Sequence, residues 1–409
     1  EYKVMGLAPY GEPIYADLIL EKLITVAKDG SFQLDMSYFD FATGLTMTNK
    51  KFEALFGGPP RTSEGELTQR EMDLAASVQK VTEGVIVKIA NSIAKDTGET
   101  NLCLAGGVAL NCVSNSVILH KNIFKNIWIQ PAAGDAGGAL GAALSAWHIH
   151  YAKKRKVSRS GDSMKGAYLG PEFTNIQIEK ELMACGANFK KLSKEDLVEE
   201  VATAIASEKA VGWMQGRMEF GPRALGGRSV LADPRSPAMQ KQLNLKVKYR
   251  ESFRPFAPSV LGEQANEWFD HADDSPYMLL TAKVQSSKRL EMTKEEKSLF
   301  GIYKLDIPRS SIPAVTHIDY SARVQTVHLE TNPIYHALIS KFYKKTGFPL
   351  VVNTSFNVRG EPIVCSPTDA FKCFMGTELD ALAIGDYLMF KEDQELTLRE
   401  NYMDRYELD

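Results

Sequence analysis

The residues best suited to chemistry lie between positions 216 and 258, a stretch that reads GRMEFGPRALGGRSVLADPRSPAMQKQLNLKVKYRESFRPFAP. It holds nine Lys and Arg side chains against three acids, in a chain whose net charge is only −3. Arg223 occupies a Gly-Pro turn, and Arg254 precedes a proline that keeps its backbone extended. Guanidinium groups held on short loops are suited to grip a compact polyanion, such as a phosphate chain, through paired hydrogen bonds.

Two interpretations of these cations follow from the residues alone. One is a solvated basic surface or a nucleic-acid patch, which clustered Lys and Arg commonly form. The other is a built site for one anion. Phe220, Phe253 and Phe256 alternate with the cations and predict that the stretch is at least half buried. Because a buried cation needs an anionic partner, this pattern favours the second interpretation.

The composition is that of an ordinary globular chain. At 409 residues, with 44% hydrophobic and 24% charged residues, the chain has room for two or three domains. No apolar run approaches the ~18 residues that span a bilayer, and the first residues lack a signal pattern. Five cysteines without metal-ligand spacing predict reduced thiols in a cytoplasmic protein. The near-neutral charge disfavours nucleic acid as a partner.

Two units of strand, glycine turn and helix follow each other between residues 101 and 150. Strands are predicted over 101–105 and 127–130, turns over 106–107 and 131–134, and helices over 108–119 and 135–150. In each unit, glycines let the backbone approach a ligand, and free N–H groups at the helix start face it. Together the two units predict a nucleotide cradle. Asp135 opens the second helix, where it serves either as an N-cap alone or also as a ligand of a hard cation.

The remaining chain predicts a long helix, a linker and a second α/β region. Residues 67–96 carry apolar side chains at helical spacing, and Gly98 follows as a stop. Residues 152–166 lack periodicity and predict a linker, although their AKKRK run also fits a localisation or lipid-binding signal. Beyond residue 168, helices are predicted over 195–208, 236–247, 333–345 and 367–376, and strands over 210–214, 277–284, 322–329, 348–352 and 381–390. This alternation predicts a mixed α/β sheet.

Six motifs, in the same order, resemble the O-carbamoyltransferases that act on nodulation factors and antibiotics. The motifs are LAGGVALN (104–111), QPAAGDAGGALGAA (130–143), MEFGPRALGGRSVLADPR (218–235), KVKYRESFRPFAPSVL (246–261), SARVQTV (321–327) and PLVVNTSFNVRGEPIV (349–364). The resemblance covers nearly the whole chain. It implies an α/β protein in which a partial actin-like ATPase (Kae1-like) domain over 1–151 and a linker over 152–167 precede a YrdC-like mixed α/β domain over 168–409.

The resemblance also implies a two-stage reaction. The YrdC-like domain of the family forms carbamoyl adenylate from ATP and carbamoyl phosphate, and the Kae1-like domain passes the carbamoyl group to a hydroxyl of a small-molecule acceptor. The implied metals are Mg with ATP and Fe, Mn or Zn at the transfer site, and the family pattern is compatible with a homodimer. A nearly neutral chain without apolar spans implies no membrane partner.

The motif match carries the family's site residues onto this sequence. It implies phosphate and adenylate contacts at Arg223, Lys248, Arg254 and Arg323, with Ser355 as a further catalytic residue. The implied nucleotide contacts are Gly106, Gly107, Asn111, Gly134 and Asn353, and the implied metal ligand is Asp135. Asn353 and Ser355 follow a buried strand and offer neutral hydrogen bonds to a carbamoyl group or phosphate, although an NTSFN loop by itself is more often an Asx or Ser turn.

One family feature has no counterpart in this sequence. Family members carry an H-x-x-x-H metal motif in the first lobe of the Kae1-like domain, and the seven histidines here contain none. The sequence opens on EYKVMGLAPYGEP, inside a family segment and without an initiator Met. We therefore expect a chain cut within a domain, whose first lobe is missing or comes from another polypeptide; loss of transfer activity is the third reading.

Three functions stay open from the sequence. The first is an ATP- and carbamoyl-phosphate-dependent carbamoyltransferase or its C-terminal portion. The second is a non-catalytic nucleotide-binding or regulatory subunit, which the missing histidine pair suggests. The third is a nucleic-acid protein of the tRNA-modification type, which the net charge disfavours.

Overall fold

The computed structural model of the chain describes residues 2–62, 65–157, 161–270, 274–399 and 402. Residues 158–160 of the predicted linker lie outside the described residues. The chain divides into two compact units. Unit 1 comprises residues 1–103, 113–128 and 293–307, and unit 2 comprises residues 104–112, 129–292 and 308–409. These units cut the chain at other points than the predicted domain boundaries, so the boundaries at 151 and 168 stay a prediction.

The described residues form the following helices and strands. The helices are α1 Tyr2–Leu7, α2 Ala16–Lys22, α3 Lys50–Leu55, α4 Gln69–Thr97, α5 Cys112–His120, α6 Asp135–Ser145, α7 Asn175–Ala184, α8 Lys194–Ala206, α9 Met239–Gln242, α10 Ala265–Trp268, α11 Lys294–Ser298, α12 Pro333–Thr346 and α13 Pro367–Met375. The strands are β1 Ile24–Val26, β2 Phe32–Leu34, β3 Asn101–Leu104, β4 Asn126–Ile129, β5 Lys190–Lys191, β6 Val211–Met214, β7 Arg228–Ala232, β8 Ala257–Leu261, β9 Phe269–Asp270, β10 Leu280–Val284, β11 Ser321–Val327, β12 Leu350–Ser355, β13 Ala381–Ile384 and β14 Tyr387–Phe390.

Unit 1 is organised by the long helix α4, which confirms the helix predicted over 67–96. Its start is fixed by a capping box, in which the Thr68 backbone N–H donates to the Glu71 carboxylate at 2.9 Å. It ends at Gly98, whose φ of 67° is the left-handed conformation that glycine adopts without strain. The face of α4 that carries Val81 and Val85 packs into an apolar cluster with the side chains of α2.

The two predicted strand-turn-helix units are present with shifted bounds. Strands β3 and β4 pair in a two-stranded sheet. The turn after β3 continues into a 3-10 helix, Gly107–Leu110, before α5 begins. Helix α6 passes into a π-helix, Ala146–His150, so the predicted helix over 135–150 holds in both length and position.

Unit 2 is built on a mixed sheet, which confirms the predicted α/β class. Across the described residues its ten strands lie in the order β5-β14-β13-β6-β7-β12-β8-β11-β10-β9. The pairs β8–β11 and β6–β13 are parallel, and the other pairs are antiparallel. Every residue of β6, β7 and β8 is buried, as expected for strands that are covered on both faces.

Alternate side chains of the central strands enter two separate apolar cores. Val230 and Val352 lie in the core that includes α13, whereas the neighbouring Leu231 and Val351 lie in the core formed with α8 and α12. This alternation is the two-residue period of a strand, and it fixes the register because a shift by one residue would exchange the two cores.

Three local predictions need correction. The predicted strand over 381–390 is two strands, β13 and β14, which pair as a hairpin around Gly385, whose φ is 52°. Strands β7 and β8 were not predicted, because the first begins on a cation and the second contains a proline. The predicted helix over 236–247 is a short α-helix followed by the π-helix Leu243–Val247.

No helix among the described residues is both long enough and apolar enough to cross a bilayer.

Ile339 of α12 tests the second core. Its side chain is fully buried in the cluster with α8, so we expect Ile339→Ala to lower the free energy of unfolding by about 2–5 kcal/mol. Denaturant titration followed by tryptophan fluorescence measures the change. The matched control is Ile176→Ala, since Ile176 is 80% exposed and its truncation should change stability by less than about 0.5 kcal/mol. Equal effects of the two changes would contradict this packing.

Candidate functional site

The loop that carries Arg223 joins β6 to β7 and is held by the side chain of Glu219. One carboxylate oxygen of Glu219 accepts the backbone N–H groups of Leu225 at 2.6 Å and Gly227 at 2.7 Å. It also lies 3.4 Å from the N–H of Arg228. Three donors on one carboxylate oxygen fold the backbone tightly around it, so the loop has a fixed shape before any ligand binds.

The loop carbonyls are bonded from the opposite side by neutral side chains. The donors are Asn353 to the Ala224 carbonyl at 3.1 Å, Tyr168 and Gln325 to the Leu225 carbonyl at 2.6 and 2.8 Å, and Trp213 to the Gly226 carbonyl at 2.9 Å. Four side chains from separate elements therefore fix three consecutive peptide groups.

Two glycines of this loop have no room for a side chain. Gly221 has φ 135°, and a Cβ there would lie 2.8 Å from the Pro131 carbonyl oxygen. Gly226 has φ 105°, and a Cβ there would overlap the ring of Tyr335. Both positions require glycine for conformation and for space. Through Gly221 the loop packs against the glycine turn that precedes α6.

Arg223 points its guanidinium group toward the first glycine turn. Its Nη2 donates to the Leu110 carbonyl at 3.3 Å, while its Nε is enclosed and has no hydrogen-bond partner among the described residues. Burial and the nearby Arg323 lower the pKa of Arg223 to about 9, and Cys112 acts in the opposite direction. At neutral pH the side chain is thus a cation in an environment that disfavours cations.

Arg323 lies on β11 and shares this environment. Its Nε is also enclosed and without a hydrogen-bond partner in the described part of the chain. Burial lowers its pKa, and Arg254 lowers it further, while Cys112 opposes the shift. Among the groups that act on Arg223 and Arg323 in the described residues, there is no carboxylate.

Arg254 reaches the same region from the turn before β8. Its Nη1 lies 3.6 Å from the Glu251 carboxylate, which leaves one Glu251 oxygen without a hydrogen bond among described atoms. The Asn244 side chain donates to the Arg254 carbonyl at 3.0 Å and to the Ser252 carbonyl at 3.2 Å. The turn is therefore fixed by a side chain of the π-helix that follows α9, and the extended backbone that the Arg-Pro sequence predicted stays a prediction.

Lys248 is buried, and its ammonium group is bonded to the loop after β12. The three N–H donors of its Nζ are shared among four oxygens, namely the carbonyl and hydroxyl of Ser355 and the carbonyl and side-chain oxygens of Asn357, the last two at 2.8 and 2.9 Å. Burial lowers the pKa of Lys248 well below its usual value, with Arg250 as the next cause. Arg254 adds to the same shift, so pairwise electrostatic effects connect Lys248 to Arg254, Arg254 to Arg323 and Arg323 to Arg223.

Asn353 and Ser355 lie on strand β12 itself, which ends at Ser355, and not after a strand that ends at residue 352 as the sequence predicted. The Asn353 amide group also lies 3.0 Å from the Ser259 hydroxyl and 2.8 Å from the Gln325 side-chain oxygen, and its own oxygen has no partner among the described residues. The Ser355 hydroxyl donates to Asn357 at 2.6 Å. Their donors are used within the protein, so their roles toward a ligand stay predictions.

The two glycine turns of the predicted cradle are bonded to each other. The Gly106 N–H donates to the Ala133 carbonyl at 2.8 Å, and Gly106 has φ 97°. Neither Gly106 nor Gly107 would bring a Cβ within 4 Å of another atom, so the backbone there is open. Asn111 is the C-cap residue of the 3-10 helix Gly107–Leu110. Gly134 is the residue before α6.

Asp135 lies exposed in the first turn of α6. The described residues contain no group of three or more His, Cys, Asp or Glu side chains arranged to hold a metal ion. One carboxylate is too few for the several ligands that a divalent cation takes, so the residues present do not make a metal site by themselves. The role of Asp135 as a metal ligand stays a prediction.

Sequence reasoning missed several residues that shape this site. Glu219 was counted only as one of three acids, and Arg228 only as one of nine cations. Arg228 is fully buried, and its guanidinium group donates to backbone carbonyls of Gly216, Gly227 and Pro171 at 2.9–3.2 Å. The available signal for Glu219 was that it is the only acid between residues 216 and 232, a segment rich in glycine and arginine.

Comparisons with known proteins identify the family of the chain. The family model described as "Carbamoyltransferase C-terminus" matches residues 202–391, and the family model described as "Carbamoyltransferase N-terminus" matches residues 1–144. The chain belongs to the carbamoyltransferase family.

Several curated proteins align along most of the chain. An uncharacterised protein of Synechocystis is 57% identical over 100% of this chain and 67% of its own length. Nodulation protein NolNO of Sinorhizobium fredii is 40% identical over 96% of this chain and 53% of its own length. Nodulation protein NolO of Bradyrhizobium diazoefficiens is 37% identical over 97% of this chain and 66% of its own length. The chain thus spans about half to two thirds of the relatives it matches.

Among solved structures, full-length HypF in its phosphate- and nucleotide-bound form covers 61% of this chain and 34% of its own, with 15% identity and a TM-score of 0.29. A likeness at that level carries no argument here.

The lowered pKa of Arg223 gives a pH test. Anion binding needs the protonated guanidinium group, so the affinity for ATP should fall as the pH rises through about 9, well above the phosphate pKa of about 6. Calorimetric titration with ATP from pH 7.5 to 10 measures this. In Arg223→Ala the affinity should be weaker and should vary less over that range. An affinity of the wild type that stays constant to pH 10 would contradict the assignment.

Proposed function

We propose that this chain forms carbamoyl adenylate from ATP and carbamoyl phosphate, and that the whole protein transfers the carbamoyl group to a hydroxyl of a small-molecule acceptor. The observation that carries the proposal is the cluster of Arg223, Arg254, Arg323 and Lys248 in unit 2. Two of these guanidinium groups have enclosed Nε atoms without partners among the described residues. Such a cluster is complementary to a ligand that supplies several negative charges.

The reaction requires such a site because charge accumulates in its first stage. Water cleaves carbamoyl phosphate into carbamate and phosphate. A carbamate oxygen then attacks the α-phosphorus of ATP, and the bond to pyrophosphate breaks. In the second stage the acceptor oxygen bonds to the carbamoyl carbon, AMP leaves, and the hydroxyl proton is lost. The arginines stabilise the charge on the leaving pyrophosphate, and Mg²⁺ bound with ATP would share that charge.

The positions of the four cations suit different parts of this chemistry. Arg223 and Arg323 are without carboxylate partners in the described chain, so we assign them to the phosphate groups of ATP. Arg254 is partly neutralised by Glu251, and we assign it to the group that moves between carbamoyl phosphate and ATP. The three N–H donors of Lys248 are all directed at oxygens of Ser355 and Asn357, so we assign Lys248 to holding the Ser355 loop in place.

A non-catalytic nucleotide-binding subunit is the second candidate. The open backbone at Gly106 and Gly107, which a nucleotide could approach closely without any reaction, favours it. Such a subunit would bind ATP but would release no pyrophosphate.

Arg254→Ala tests the proposal. With ATP, Mg²⁺ and carbamoyl phosphate, the wild type should release pyrophosphate, and the variant should be slower by about 10²–10³-fold, since a charge-assisted contact to the transition state is lost. An enzyme-coupled pyrophosphate assay measures the rate. The matched control is Arg217→Ala, because Arg217 lies in the same cationic stretch but is exposed and pairs with Glu172 at 3.4 Å. It should keep the wild-type rate.

The wild type also discriminates between the two candidates. ATP binding without pyrophosphate release would support the non-catalytic subunit, and absence of both would reject both candidates. Equal rates for Arg254→Ala and the control would remove Arg254 from the reaction.

A further inference from the structure

We propose that Glu219 is a positioning residue, which acts on the reaction by fixing the loop that presents Arg223. This inference rests on the proposed function, because it names a residue that makes the anion site competent.

The first observation is the burial and bonding of the Glu219 side chain. Glu219 is 6% exposed, and it lies four residues before Arg223 in the same loop. Its Oε1 accepts N–H groups from residues two, four and five positions after Arg223. A buried carboxylate that accepts several backbone N–H groups resembles an anion bound in a backbone nest, except that here the anion belongs to the protein. The backbone of the loop between β6 and β7 therefore surrounds the carboxylate of Glu219, which belongs to the same loop.

The second observation is the completeness of bonding in the loop. The remaining N–H group of the segment, that of Gly226, donates to the Ser229 hydroxyl at 3.0 Å. The Gly227 carbonyl accepts the Gln215 N–H at 3.0 Å, so together with the three carbonyl groups bonded by neutral side chains, the four peptide groups that join residues 224 to 228 are all bonded. Arg223 stands immediately before this fixed segment. The guanidinium group is therefore presented from a rigid base, which lowers the conformational entropy that ligand binding must remove.

The third observation is the direction of the electrostatic effect of Glu219. Its charge raises the pKa of the buried Arg228, which burial lowers. The groups that act on Arg223 are instead Arg323 and Cys112. Glu219 thus offsets the positive charge of Arg228, whereas the positive charge of Arg223 stays available to a bound anion. A carboxylate in contact with Arg223 would fix the loop but would also neutralise the site.

The test is a double-mutant cycle between Glu219 and Arg223. Glu219→Ala removes the acceptor, and Glu219→Gln keeps an oxygen in place of Oε1 but removes the charge. If Glu219 acts through Arg223, Glu219→Ala should lower kcat/KM for pyrophosphate release by about 10-fold or more in the wild-type background. The same change should cost less than about 2-fold in the Arg223→Ala background. Glu219→Gln should recover most of the lost rate.

Two further readouts keep the outcomes distinct. Circular dichroism and thermal unfolding show whether Glu219→Ala is folded, and if it is not, the cycle is run with Glu219→Asp, whose shorter side chain withdraws the carboxylate from the three N–H groups. Calorimetric ATP affinity is measured for every variant, so the cycle can be evaluated without turnover. The matched control is Glu392→Ala, since Glu392 is exposed and pairs only loosely with Lys209 at 3.5 Å. It should match the wild type in both readouts.

Each result decides one point. The positioning role is supported if the Glu219 change lowers the rate or the ATP affinity of the wild type but has little effect in the Arg223→Ala background. Additive losses show a general structural role and overturn it, as does wild-type behaviour of folded Glu219→Ala. A wild type that binds ATP with coupled losses but releases no pyrophosphate rejects the proposed function while it supports the positioning role.

Discussion

The anion site proposed for unit 2 depends on burying the positive charges of Arg223 and Arg323 without a negative charge of the protein that would neutralise them. Arg323 lowers the pKa of Arg223, Arg254 lowers the pKa of Arg323, and no carboxylate among the described residues acts on Arg223 or Arg323. Burial of a charge is costly unless it is paired. A protein keeps such an arrangement where a ligand supplies the missing charge, and strain at functional sites is stabilised by the surrounding fold. The deep cores on both faces of the sheet provide that surrounding stability.

The strand order explains how residues far apart in sequence share one site. The Arg223 loop leaves β6 and enters β7, Ser355 ends β12, Arg254 precedes β8, and Arg323 lies on β11. In the sheet, β6, β7, β12, β8 and β11 are consecutive neighbours. Residues as far apart in sequence as Arg223 and Ser355 are thus brought within a few strand spacings, each about 4.8 Å. The first glycine turn joins the same unit through the bond from Arg223 to Leu110.

Much of this arrangement could be predicted from the sequence, because its signals are local. The period of 3.6 residues predicts α4, and Arg223 and Arg254 on turns predict cations held on short loops. The hairpin of β13 and β14 was read as one strand because the turn between them contains only Gly385 and Asp386. Strand β7 was missed because its first residue is Arg228. Arginine usually lies at the surface, but Arg228 is fully buried.

The finer roles could not be predicted, because they depend on partners remote in sequence. Lys248 was expected to contact a ligand, and only the fold shows its ammonium group bonded to Ser355 and Asn357, more than a hundred residues away. Asn353 likewise reaches back to the Ala224 carbonyl. Glu219 carries no sequence signal beyond its charge, since the N–H groups that it accepts converge only in the folded loop.

The most direct measurement of the central claim is the free energy of unfolding of Arg323→Met in a buffer free of phosphate, sulfate and nucleotides. If the cluster is uncompensated, removal of one buried charge should make the protein more stable than the wild type, by roughly 1–4 kcal/mol. Arg228→Met, which would leave several buried carbonyls without a donor, should instead be destabilising. An Arg323→Met variant that is less stable than the wild type would contradict the account, because it would mean that the charge of Arg323 is already paired within the protein.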